Sequence, residues 1–92
     1  MAVRDALELE AQNVVAEALN ANRKYGDFTS THEAYGVLAE EVAELLQAIR
    51  LNVVMSIAIE ARQVSAVAMR LAELCEREHL GEAEEFGERS SL

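Results

Sequence analysis

No proline interrupts the chain, and its glycines stand only at positions 26, 36, 81 and 87. Between those points apolar residues recur at three- and four-residue spacings, the period of an α-helix. The pattern predicts an all-α chain of three helices. Helix one is expected from about Val3 to Tyr25, with Leu7, Ala11, Val14, Ala18, Ala21 and Tyr25 on one face and Gly26 as its stop. A loop, GDFTST, follows. Ser30 and Glu33 then form an S-x-x-E capping box, in which the serine oxygen takes an orphan helix N–H and the glutamate reaches back to the entering chain.

Helix two carries Tyr35, Leu38, Val42, Leu45 and Ile49 as a stripe that runs to about Arg50, and helix three carries Val53, Ile57, Val64, Val67, Leu71 and Leu74 up to about His79. Nothing breaks the pattern between them, so one continuous helix from 33 to 79 is the alternative to a hairpin. A tight turn near Asn52 is preferred, because asparagine tolerates the left-handed conformation that ends helices and the continuous helix would far exceed ordinary lengths. Residues 1–80 are thus expected to form one helical domain and 81–92 an acidic, mobile tail.

A chain of 92 residues is marginal as an isolated domain, since one this short buries only about 60% of the surface its unfolded form exposes. Disulfides, metals or oligomerisation usually supplement such a core. With Cys75 alone no intrachain disulfide forms, which points to a reducing compartment. The first residues, MAVRDALELE, hold acids where a secretory signal needs a basic and then an apolar run, and no apolar run reaches membrane-spanning length. The expectation is a cytoplasmic protein without membrane contact. It assembles as a homodimer or homotetramer, because the alanine-rich helix three has more apolar face than two short helices cover. The net charge of −9 repels a polyphosphate backbone and argues against nucleic acid as a partner. Small phosphates remain accessible to an acidic chain through divalent cations.

The position missing from the apolar stripe of helix three is Glu60. A charge there needs a partner. If helices two and three fold back at Asn52, residues equally distant from the turn face each other: Glu44 and Glu60 at eight residues, Glu41 and Gln63 at eleven. Each helix supplies its two members at i, i+3, on one face. Three carboxylates so close cannot all remain ionised without a counter-charge. A divalent cation supplies it, and hard carboxylate and amide oxygens suit magnesium or manganese. The competing assignment for Glu60 is an ion pair with Arg or Lys at a subunit contact.

The run EEVAE at 40–44 followed by EARQ at 60–63, within HEAYGVLAEEVAEL and EARQVSAVAMR, resembles the E-x-x-E…E-x-x-D signature of the MazG-like all-α NTP pyrophosphatases, over roughly residues 23–74. The resemblance implies Glu41, Glu44 and Glu60 as magnesium ligands and catalytic residues, with Gln63 in the fourth ligand position, where the family usually has aspartate. It implies hydrolysis of a nucleoside triphosphate between the α- and β-phosphates to a monophosphate and pyrophosphate. Lys24, Phe28 and Arg70 are the candidates for contacting phosphate or base. A non-catalytic helical interaction module on the same scaffold is the alternative. Glu40 is expected to be solvated, His32 to be a first-turn helix residue and Cys75 a semi-buried filler. Glu76 and His79 form a single E-x-x-H pair, too little for a di-iron site.

Overall fold

A computed structural model describes residues 1–86 and contains three helices: α1, Val3–Tyr25; α2, Thr31–Leu51; and α3, Val54–Phe86. The protein is all-α over the described residues. No described helix is long and apolar enough to cross a membrane.

Local chemistry accounts for the boundaries. Gly26 leaves α1 at φ 75°, and its N–H closes the last turn on the Asn22 carbonyl at 2.9 Å. Arg23 and Lys24 sit in that turn, where cations complement the helix dipole. Ser30 caps α2, its Oγ accepting from the Glu33 N–H at 3.0 Å. The Glu33 carboxylate reaches back one residue further than the usual box, accepting from the Thr29 N–H at 3.0 Å and the Thr29 hydroxyl at 3.2 Å. Asn52 ends α2 in the left-handed region at φ 55°, ψ 39°, so the continuous 33–79 helix is not formed. Helix α3 continues beyond the expected end at His79, through Gly81 to Phe86. Its final residues include Glu82, Ala83, Glu84 and Glu85, all strong helix formers that outweigh the single glycine. Residues 87–92 of the expected tail lie outside the described residues.

Helices α1 and α2 each pack on α3 and not on each other, which makes α3 the spine. Spanning 33 residues, it accounts for the longest dimension of 52 Å, since each residue adds about 1.5 Å. Phe28 inserts from the α1–α2 loop into a cluster with Ala34, Val67 and Leu74, flanked by Val37, Leu38 and Leu71. The other buried positions are alanines, Ala18 on α1, Ala48 on α2 and Ala66 on α3, which end at Cβ and let helix axes approach closely.

The stripe predicted for α2 does not face α3 as a unit. Ala34, Leu38, Glu41, Leu45 and Ala48 turn towards the interior, while Tyr35, Val42 and Ile49 stay exposed, Tyr35 at 70%. Leu46 extends this exposed row. The close approach available at alanine sets the rotation of α2, and the larger residues are left on its outer flank. On α1, Leu7 and Tyr25 are likewise exposed, and Cys75 on α3 is exposed instead of semi-buried. No large side chain among the described residues is fully buried.

Candidate metal centre

The Asn52 turn folds α2 and α3 antiparallel and brings Glu41, Glu44 and Glu60 together. One oxygen from each lies within 4.8 Å of the others. Glu41 and Glu60 are half-buried and Glu44 is exposed. Oε2 of Glu41 and Oε2 of Glu60 are both withdrawn from solvent and have no hydrogen-bond partner. No described Lys or Arg forms an ion pair with any of the three. Burial pushes the Glu41 carboxyl above the ordinary carboxylate range, and the charges of Glu44 and then Glu60 add to the shift. Burial likewise raises Glu60, followed by repulsion from Glu44. Three converging carboxylates, two of them with a desolvated oxygen and none paired with a described Lys or Arg, are a donor set that fits a divalent cation.

Gln63 lies one turn beyond Glu60 on α3, half-buried, and its Nε2 donates to Glu17 Oε2 at 2.9 Å. This brings α1 to the edge of the centre. Two turns earlier on α1, Glu10 takes both ends of the Arg62 guanidinium, at 2.7 and 2.9 Å. Hydrogen bonding to Arg62 holds the Glu10 carboxyl below its ordinary range. Neither Glu10 nor Glu17 was apparent from the periodicity. The available signal was their seven-residue spacing at the border of the α1 apolar face.

Beside the carboxylates opens a cavity of about 420 Å³, with Tyr25, Asp27, Phe28, Glu41, Gln63 and Arg70 in its wall. Glu40 is exposed and also borders it. Arg70 lies over the Phe28 ring, 4.2 Å from its centroid, and Nη2 donates to the Gly26 carbonyl at 2.9 Å. Its Nε is buried without a partner. Phe28 is a core residue whose face Arg70 covers. Lys24 is exposed, does not line the cavity, and sits over the Tyr25 ring at 5.4 Å. Arg77 fastens Asp27 to α3 at 2.8 Å while also holding Glu73 at 2.7 Å. Those contacts lower the Asp27 and Glu73 carboxyls and raise Arg77. His32, Glu76 and His79 are exposed and join no other metal-competent group among the described residues.

Compared with protein-family models, curated proteins and solved structures, the chain matches none of them.

Proposed function

We propose that the chain is a magnesium-dependent nucleoside triphosphate pyrophosphohydrolase of the MazG-like kind, cleaving (d)NTP to (d)NMP and pyrophosphate in the cytoplasm. The observation that carries this reading is the convergence of Glu41, Glu44 and Glu60 with two desolvated oxygens lacking any partner. A solvated acidic face would have left those oxygens in water.

Glu41, Glu44 and Glu60 are the residues to hold magnesium, or manganese, and Gln63 supplies a neutral oxygen beside them. When bound, such an ion polarises phosphoryl oxygens and lowers the pKa of water. The chain's own contribution is to hold the carboxylates on two packed helices and to present the neighbouring cavity. A volume of about 420 Å³ lies within the range of small-molecule sites. Asp27, Glu33, Glu40 and Glu41 line it against Arg70 as its cation, so a free polyphosphate is repelled and a cation-neutralised one is not.

The exposed row Tyr35, Val42, Leu46 and Ile49 on α2 supports self-association into a dimer or tetramer. The same row supports the second reading, a helical interaction module without catalysis. Incubation of the protein with a nucleotide panel and magnesium, with product analysis, separates the two. Monophosphate plus pyrophosphate supports hydrolysis at the α–β linkage. Diphosphate plus orthophosphate refutes that bond assignment, and no metal-dependent turnover on any nucleotide favours the module.

A further inference from the structure

Gln63 occupies a position where the resemblance places a carboxylate, and an amide carries an ambiguity that a carboxylate lacks. Its Oε1 accepts and suits a cation, whereas its Nε2 only donates and repels one; half a turn about the last torsion exchanges them. Near a metal centre the wrong end would be harmful.

The contact from α1 removes the ambiguity. Glu17 Oε2 lies 2.9 Å from Gln63 Nε2, and both residues are half-buried. An ionised carboxylate has no proton to give, so only the NH₂ end of the amide can face it. That leaves Oε1 as the remaining pole of Gln63, on a residue that shares the cavity wall with Glu41 and follows Glu60 by one turn. A purely structural purpose for the contact is weakly motivated. The bidentate Glu10–Arg62 pair already ties the same two helices together.

We infer that Glu17 is a positioning residue of the metal centre: by holding Gln63 Nε2 it selects the amide oxygen as the fourth donor beside Glu41, Glu44 and Glu60. This rests on the metal reading proposed above. Orientation of a ligand by an outer hydrogen bond typically contributes about 10- to 100-fold in metal affinity.

The test is manganese binding to the full chain, followed by the electron paramagnetic resonance of free Mn²⁺, with helicity checked by circular dichroism. Glu17→Ala should bind about tenfold more weakly. Glu17→Gln, whose amide can donate as well as accept, no longer selects one end of Gln63 and should also bind more weakly. Glu10→Ala, which cuts the other tie between the same helices, should bind like the parent. In a Gln63→Glu background, which has no amide to orient, Glu17→Ala should cause no comparable loss. Parent-like affinity in Glu17→Ala overturns the inference. So does an equal loss from Glu17→Ala in the Gln63→Glu background, which would mean that charge acts instead of orientation, or an equal loss in Glu10→Ala, which would mean that helix docking does. A parent that binds no Mn²⁺ removes the metal reading itself, and this inference with it.

Discussion

Arg70 covers the face of Phe28, with its guanidinium carbon 4.2 Å from the ring centroid, and the same guanidinium donates to the Gly26 carbonyl at 2.9 Å. One side chain of α3 therefore seals the core plug and fastens the loop that carries it. Arg70→Ala is expected to cost about 1–2 kcal/mol in urea unfolding, from the lost cation–π contact and hydrogen bond. Arg70→Lys should recover less than half of that, since an ammonium lacks the planar surface that lies on the ring. Full recovery by lysine would mean that charge alone matters at this position.

Asn52 sets both the hairpin and the meeting of Glu44 with Glu60. At φ 55° a residue with a Cβ is strained unless its side chain compensates locally. Asn52→Gly should be as stable as the parent or better, and Asn52→Ala should lose about 1 kcal/mol. Mn²⁺ affinity should fall in the alanine variant alone. If alanine is tolerated as well as glycine in chemical denaturation, the turn is held by tertiary packing and not by its own backbone preference.

Acid should stabilise the metal-free protein before it harms it. Glu41 and Glu60 have folded-state pKa values raised above the ordinary 4.5, so from 4.5 up to those values the folded chain holds more protons than the unfolded one. Stability therefore falls as pH rises through that window. Glu10, Asp27 and Glu73 act oppositely, because their values are lowered and their contributions disappear only as pH falls below the ordinary range. Melting temperature in chelator should peak in weak acid and decline towards neutrality. The decline should be shallower in Glu60→Gln and should be offset in the parent by magnesium or manganese. Identical pH slopes for parent and Glu60→Gln would refute the electrostatic assignment of Glu60.

Charge placed on two apolar positions should have two different consequences. Ile49 is 50% exposed on the outer row of α2, and Val67 is 6% exposed in the core. Sedimentation of the parent at micromolar concentration should give at least twice the 10.1 kDa chain mass. Ile49→Glu should return a helical monomer, whereas Val67→Glu should lose several kcal/mol and much of its helicity through an unpaired buried ion. A parent that sediments as a folded monomer would exclude self-association through this face.

Three helices, the Ser30 cap, the Gly26 stop and the Asn52 turn were legible from residue order, because each depends on neighbours within about four positions along the chain. The approach of Glu41, Glu44 and Glu60 was legible for a related reason. A tight turn of known position converts equal distance along the chain into proximity in space. Periodicity did not reveal which flank of α2 would be buried, since Ala34 and Ala48 carry weak hydrophobic signals yet allow the closest helix approach, leaving Tyr35, Val42 and Ile49 outside. Nor did it disclose that Glu17 would meet Gln63 at a sequence separation of 46. The local sequence thus determined the helices and the carboxylate layer of the hairpin. Only the tertiary structure decided helix rotation and the docking of α1, because both depend on side-chain volumes and polar partners brought together from distant parts of the chain.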